Sequence, residues 1–208
     1  MDLAALGVKS FLTMLVVIDP VGVVPVFIAL SGGREAGELE RVAARAVLVA
    51  GVVLTAFAVG GAWLLLRLGI SMDSFRIAGG VLLFRIAVDM VLAQRERETE
   101  QEAAESRSRR DISVFPLAIP LIAGPGALAS VVILAGEETG HGLGLPLVLA
   151  TTGAVLALCY AALRLAAPLG RVLGQTGVNV ITRVLGVLLA ALAVQYVADG
   201  VRGLLAAA

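Results

Sequence analysis

Long apolar segments separated by short polar stretches account for most of this chain. Six of them have the roughly 20 residues that a helix needs to cross a bilayer: residues 8–30, 42–68, 75–93, 112–135, 143–169 and 180–205. None shows the alternation of polar and apolar positions over about ten residues that a membrane β-barrel strand requires. The pattern therefore predicts an all-α, polytopic membrane protein with six transmembrane helices.

The first and fourth apolar segments are interrupted at their centres. The first reads FLTMLVVIDPVGVVPVFIAL over residues 11–30, and the fourth reads PLAIPLIAGPGALASVVIL over residues 116–134. The interrupting residues are Asp19, Pro20, Gly22 and Pro25 in the first segment, and Pro120, Gly124, Pro125 and Gly126 in the fourth. Because proline lacks an amide donor and clashes with the preceding turn, neither segment can be one continuous helix. A matched pair of interrupted segments is typical of a transporter's binding site.

The chain also divides into two similar halves. A shift of 106 residues places the sequence GVLL at 80–83 on GVLL at 186–189, and a shift of 105 places Pro20 on Pro125. Each half contains three spans, an odd number, so the second half must enter the membrane upside down, as an inverted-topology repeat. The predicted organisation is a first three-helix repeat at 1–93, a charged cytoplasmic linker at 94–111, and a second, inverted repeat at 112–208.

Composition agrees with a membrane protein. Of the 208 residues, 59% are hydrophobic and 15% are charged, whereas soluble domains carry about 25% charged residues. The formal net charge of zero gives no reason to expect a nucleic-acid partner. Because Cys159 and His141 are the single cysteine and histidine, a disulfide framework and a Cys/His metal site are excluded, and no cofactor is expected.

Basic residues predict the orientation, because cytoplasmic loops carry an excess of Lys and Arg. One side of the predicted topology has only Lys9, Arg67, Arg76 and Arg202. The other has eleven: Arg34, Arg41, Arg45, Arg95, Arg97, Arg107, Arg109, Arg110, Arg164, Arg171 and Arg183. This asymmetry places the loops at 31–41, 94–111 and 170–179 in the cytoplasm and both termini outside. The first span lacks a cleavage site and is expected to be retained.

Asp19 and the second interruption are the candidate binding groups. A carboxylate at the centre of a span is costly and is usually functional. Asp19 followed by Pro20 also resembles a helix start, where the side chain accepts a hydrogen bond from a freed amide. Gly124 followed by Pro125 repeats this arrangement without a side chain, which leaves bare amides at the positive end of a helix dipole. The alternative is that Asp19 only caps a kinked helix and the glycines only allow close packing.

Two further sets of residues are weaker candidates. Arg85 and Asp89 are four residues apart on the third span and can pair on one face, as a structural ion pair or as a gating pair. Gly79, Gly80 and Gly186 favour close helix packing, or the wall of a cavity for a small ligand. No enzyme motif is present, and the single histidine lies outside the spans, so no catalytic residue is predicted.

Four phrases resemble one family closely: DPVGVVPVF at 19–27, FRIAGGVLLF at 75–84, PLAIPLIAGPGALAS at 116–130 and TRVLGVLLAALAVQYVADG at 182–200. They identify the chain as similar to the MarC/SnatA family over almost its whole length. The resemblance implies a six-helix plasma-membrane protein and, for some members, transport of glycine, alanine and other small neutral amino acids. Val23 stands where the family usually has Asn, and Arg85 where it is usually apolar.

The resulting interpretation is a secondary transporter of small zwitterions that works by alternating access, with a proton or sodium ion as a coupling partner. Asp19 would face the ammonium group, the amides of residues 126–128 the carboxylate, and the glycine-lined walls would exclude large side chains. The predicted substrate-binding residues are Asp19, Pro20, Gly22, Pro25, Pro120, Gly124, Pro125, Gly126, Ala127 and Leu128. A passive channel or exporter for small solutes, and a membrane scaffold without flux, remain alternatives, and oligomerisation is left open.

Overall fold

A computed structural model describes residues 2–31, 34–92, 112–137 and 142–207. The predicted linker at 94–111 and His141 lie outside the described residues. Within them the chain forms helical segments only: α1 (Leu3–Ile18), α2 (Val23–Ser31), α3 (Ala36–Arg67), α4 (Met72–Val91), α5 (Ser113–Ile122), α6 (Pro125–Ala135), α7 (Gly144–Arg164) and α8 (Ala166–Ala207). The all-α prediction is confirmed for this part of the chain.

Several of these helices are long and apolar enough to cross a membrane. Four stretches qualify, and α5 with α6 makes a fifth if the pair is one broken span: Leu3–Ser31, Gly37–Arg67, Gly144–Arg164 and Ala166–Ala207. The 20 residues of α4 are long enough, but Asp73, Arg76, Arg85 and Asp89 make the helix too charged to qualify by composition. The structure thus agrees with a polytopic membrane protein, and the count of six spans stays a prediction.

Both predicted interruptions are present. Regular helix stops at Ile18 and resumes at Val23, so α1 and α2 are separated by a four-residue turn. In the second half, α5 and α6 meet at an angle of 56°. The coil of α5 is irregular because Phe115 and Ile119, each followed by a proline, are extended. A residue before proline is disfavoured in the helical conformation, which explains both positions.

The last part of the chain differs from the prediction. A loop was expected at 170–179, between the fifth and sixth spans, but α8 begins at Ala166 and continues through these residues. Glycines lie at 170, 174 and 177, and the predicted loop is reduced to a single break because the helical conformation extends from both sides up to Gly174. Only Gly174 adopts a left-handed conformation, with φ of 58°, so α8 has one local break and no loop.

The broken segments form the interior of the bundle. In its most apolar window, Leu3–Ser31 has 56% of its residues buried. The corresponding windows of the other three qualifying stretches, in α3, α7 and α8, have 22–33% of their residues buried. Nearly all of α6 is buried as well, from Gly126 to Leu134 except Leu128. Helices α3, α4, α7 and α8 therefore surround the two interrupted segments and shield them.

Helices α4 and α8 pack along each other through reciprocal glycine contacts. A Cβ placed on Gly80 would lie 2.7 Å from the Ala193 carbonyl oxygen, and one on Gly186 would lie 3.2 Å from the Ala87 carbonyl oxygen. The same shift of 106 residues relates Gly80 to Gly186 and Ala87 to Ala193. The residues in contact rise from 80 to 87 along α4 while they fall from 193 to 186 along α8, so the two helices are antiparallel.

Candidate functional site

Asp19 is buried at the first interruption and is held by backbone on both sides. Its side chain and backbone are 1% exposed, and its φ of 48° is in the left-handed region, which Asp tolerates better than most residues. The Asp19 amide donates to the Leu15 carbonyl at 3.1 Å and so closes α1. Its Oδ1 accepts a hydrogen bond of 3.0 Å from the Gly22 amide. The carboxylate is therefore fixed between the end of one helix and the start of the next.

The helix after Asp19 begins later than the sequence suggested. Pro20 was expected at the first helical position, but residues 20–22 form a turn and α2 starts at Val23. The predicted hydrogen bond from a freed amide to the Asp19 side chain is nevertheless present, at Gly22. A Cβ on Gly22 would lie 2.1 Å from Asp19 Oδ2, so glycine is required by the close approach of the carboxylate.

At the second interruption, α6 begins at Pro125 with Gly124 as its N-cap. A Cβ on Gly124 would lie 2.4 Å from the Pro120 carbonyl oxygen, so the tight path of the chain requires glycine here too. The first-turn amides of Gly126 and Ala127 have no acceptor within the helix. The Leu128 amide donates to the Gly124 carbonyl at 3.0 Å, so its predicted role in binding a carboxylate is corrected to a helical hydrogen bond.

The two interruptions lie against each other. A Cβ on Gly126 would be 3.5 Å from a methyl group of Val17, two residues before Asp19, and 2.9 Å from side-chain ends of Leu83 and Ile86 on α4. Pro20 and Gly126 are buried, whereas Pro125 is exposed. Gly22, Pro25, Pro120, Gly124 and Leu128 are partly buried. The fold thus brings the capped carboxylate near the bare end of α6, while one face of Gly126 packs against α4.

The weaker candidates occupy other positions. Gly79 packs against Ala129 on α6, and Gly80 and Gly186 lie in the α4–α8 contact, which agrees with close packing. Arg85 Nε and Asp89 Oδ2 are 3.9 Å apart, and 76% of the Arg85 side chain is exposed. This pair therefore lies on the outer surface of the bundle and does not reach the interruptions.

Sequence reasoning missed several polar residues near the interruptions. Cys159 on α7 is buried and lies within electrostatic range of Asp19. Ser10 and Thr13 on α1, Ser130 on α6 and Thr152 on α7 are buried hydroxyls. The spacing of Ser10 and Thr13, three residues apart on one helix face, was a signal that the sequence did contain. The packing of α7 against α1 is a tertiary contact, and no local sequence pattern predicts it.

A large groove lies elsewhere, between α3 and α7. It has a volume of about 920 Å³ and is lined by Val47, Gly51, Leu156 and other apolar residues, with hydroxyls at Thr55 and Tyr160. It includes none of the interruption residues and no charged side chain. A surface of this kind suits lipid chains better than a charged solute.

Comparisons with known proteins point to a family of integral membrane proteins. The family model described as "MarC family integral membrane protein" matches residues 5–205. The UPF0056 membrane protein YhcE of Escherichia coli (strain K12) is 37% identical over 199 residues, which cover 94% of this chain and 92% of that protein. A UPF0056 membrane protein of Archaeoglobus fulgidus is 38% identical and covers 92% of this chain and 90% of its own.

A third relative is the UPF0056 membrane protein YvbG of Bacillus subtilis (strain 168), 35% identical over 95% of this chain and 94% of that protein. No solved structure matches the chain. The family model and these full-length relatives show that the chain belongs to the MarC family of integral membrane proteins.

Proposed function

We propose that this protein is a secondary transporter that moves small neutral amino acids such as glycine and alanine across the plasma membrane by alternating access. One observation carries the proposal: the buried Asp19 carboxylate lies at a helix break that packs against the bare N-terminal end of α6. A carboxylate and a helix N-terminus are complementary to the ammonium and carboxylate of a zwitterion. Chemistry of this kind suits binding and release, and we assign the protein no enzymatic activity.

The size of the solute is limited by the packing around the second interruption. Gly126 leaves room for only a small group, because side-chain ends of Leu83 and Ile86 lie 2.9 Å from the position that a Cβ would take. In this proposal the amides of Gly126 and Ala127 hold the solute carboxylate, and Asp19 holds the ammonium group or carries a coupling proton. A sodium ion is the alternative coupling partner.

The contacts between the halves support an inverted repeat of six spans. Gly80 meets Ala193 and Val197, while Gly186 meets Ala87 and Val91, and a shift of 106 residues converts one set into the other. Equivalent helices that cross antiparallel fit a two-fold axis in the membrane plane. In this arrangement α4 crosses the membrane as the partner of α8, because the two helices pack side by side along the length of α4.

The distribution of charged residues supports the orientation with both termini outside. Lys9 pairs with Glu137 at the end of the bundle that holds the N-terminus. At the other end, Arg164 and Tyr160 bind Glu40, 3.2 and 3.3 Å away. Arg34 and Arg41 flank Glu40 at the start of α3, so this second end is rich in arginine, and the positive-inside rule assigns it to the cytoplasm.

Uptake of labelled glycine and alanine into liposomes containing the purified protein tests the proposal. We expect saturable uptake, stimulated by a proton or sodium gradient, and counterflow when the liposomes are preloaded with unlabelled amino acid. Non-saturable flux without counterflow would indicate a channel. Absence of flux for every small amino acid tested would favour a scaffold.

A further inference from the structure

A cluster of buried hydroxyl groups joins three helices on the N-terminal side of Asp19. It consists of Ser10 and Thr13 on α1, Ser130 on α6 and Tyr196 on α8, and is called the hydroxyl seam below. None of the four residues is more than 4% exposed. The Tyr196 hydroxyl lies beside those of Thr13 and Ser130. Tyr196, Thr13 and Ser130 are thus in polar contact across three helices, and Ser10 lies about one turn before Thr13 on α1.

The groups of the seam approach one another without satisfying their hydrogen-bonding capacity. Within the part of the chain that the structure describes, the hydroxyls of Ser10, Ser130 and Tyr196 have no hydrogen-bond partner of acceptable geometry. Thr151 on α7 provides a contrast, because its Oγ1 donates to carbonyls of the preceding turn at 3.0 Å. Buried polar groups are normally paired, and the hydroxyls of Tyr196, Thr13 and Ser130 are close enough to pair with one another. Because hydroxyls donate and accept, they can exchange these partners for a polar molecule that enters between the facing helices.

The seam lies between Asp19 and the charged end of the bundle. Thr13 precedes Asp19 by six residues, which corresponds to about 9 Å along a helix. One turn further toward the N-terminus, Lys9 forms an ion pair with Glu137, which follows α6. The Glu137 side chain is only 13% exposed, and the Lys9 side chain is 35% exposed. The charges of Glu137 and Arg76 both act on the Tyr196 hydroxyl, so the ion pair lies within electrostatic range of the seam.

We propose that the hydroxyl seam is the section of the solute path between Asp19 and the side of the membrane that bears the N-terminus, and that the Lys9–Glu137 pair closes it in this conformation. The proposal rests on the proposed function, because it takes the Asp19 region as the binding site. Hydroxyl groups both donate and accept hydrogen bonds, so they can bind either the ammonium or the carboxylate group of a zwitterion as it passes. Opening requires α1 and α6 to separate at their charged ends, which breaks one ion pair and hydrates the seam.

Cysteine accessibility tests the path without any transport measurement. Because the chain has a single cysteine, Cys159→Ala gives a background in which Ser130→Cys is the only thiol. A membrane-impermeant thiol reagent is added to each side of the membrane in turn, with and without Glu137→Gln. We expect reaction from the N-terminal side only, and an increase in rate of roughly fivefold or more on loss of the ion pair.

Val132→Cys is the matched control for this experiment. Val132 is two residues further along α6 and equally buried, but it faces Gly61 on α3. It should stay unreactive in both backgrounds. The proposal is overturned if Ser130→Cys reacts no faster than Val132→Cys after Glu137→Gln, or if both cysteines become equally reactive. Lys9→Gln breaks the same pair from the other side and replaces Glu137→Gln if that variant does not fold.

A reversible cross-link tests whether the closed seam blocks flux. In the same background, Lys9→Cys with Glu137→Cys should form a disulfide under mild oxidation, stop amino-acid uptake, and recover it on reduction. Uptake unchanged by the cross-link would place the path elsewhere. If no amino acid is transported at all, the labelling pattern still reports on the seam, so failure of the proposed function and failure of the path are distinguishable.

Discussion

The environment of Asp19 explains why these residue types stand at the first interruption. Asp tolerates the left-handed backbone at which α1 ends, and its short side chain reaches the Gly22 amide in the same turn. Gly22 must lack a side chain because the Asp19 carboxylate occupies the space that a Cβ would take. The DPVG sequence therefore encodes a charged group held by the backbone rather than a simple kink.

Gly22→Ala should displace the carboxylate. The new Cβ would start 2.1 Å from Asp19 Oδ2, and overpacking of this kind costs about 1–3 kcal/mol. We expect a lower melting temperature in detergent and loss of most glycine uptake. Gly60→Ala on α3 is the matched control, because no atom lies within 4 Å of its added Cβ. Equal behaviour of the two variants would contradict the close approach described here.

Asp19 and Gly22 illustrate what sequence can and cannot predict at single positions. A charge inside an apolar run, next to proline and glycine, was sufficient to identify the candidate residue and its bond to a freed amide. The start of α2 was placed three residues too early, because local sequence does not tell how long the turn after a proline persists. Cys159 was not predicted near Asp19, since that proximity depends on how α7 packs on α1.

Among the helices, α4 and α8 have the most regular contact. Their glycines allow two backbones to approach closely, which in membranes is a main source of helix association. The shared offset of 106 residues means that each helix supplies the same surface to the other. Helix α8 also shows a limit of sequence reading, because a loop was predicted at 170–179 where the helix continues with one break at Gly174.

Gly80→Ala and Gly186→Ala should destabilise the protein by similar amounts. Their added Cβ atoms would lie 2.7 Å from the Ala193 oxygen and 3.2 Å from the equivalent Ala87 oxygen, respectively. Because each contact is a copy of the other, we expect losses of about 1–3 kcal/mol for each variant. Thermal unfolding in detergent, again with Gly60→Ala as control, provides the comparison. A large loss for one and none for the other would argue against equivalent positions.

The start of α6 offers a test of the bare amides. Gly126→Val should abolish uptake, but its side chain would also press on Leu83 and Ile86 of α4. Combining it with Leu83→Ala provides space on the α4 side. We expect the double variant to regain thermal stability without regaining uptake, because the branched group still covers the Gly126 and Ala127 amides. Recovery of uptake would show that the single variant fails through packing alone.

Taken as one assembly, the molecule encloses two interrupted segments within a shell of four longer helices. The interrupted segments carry most of the buried polar groups, and α3, α4, α7 and α8 present their apolar faces outward. The sequence predicted the class of protein and the two interruptions, because these depend on hydropathy and proline, whereas the inverted repeat of the two halves stays a prediction. It did not predict the hydroxyl seam, because the seam is assembled from helices distant in the chain.

Transport in this proposal requires the Asp19 charge, and not only its capping role. Asn tolerates the left-handed backbone and can accept the same bond from the Gly22 amide, so Asp19→Asn should keep the fold with a small loss of stability, whereas Asp19→Ala should also lose about 0.5–1.5 kcal/mol from that hydrogen bond. Bonds to charged groups contribute about 1.5–3 kcal/mol, so loss of the charge should reduce uptake by roughly tenfold or more.

The decisive measurement is gradient-driven glycine accumulation in liposomes that contain equal amounts of folded wild-type protein or the Asp19→Asn variant. We expect the wild type to accumulate glycine and the variant not to, although both elute as folded species. Accumulation by Asp19→Asn at the wild-type level would contradict the proposal and reduce Asp19 to a helix cap.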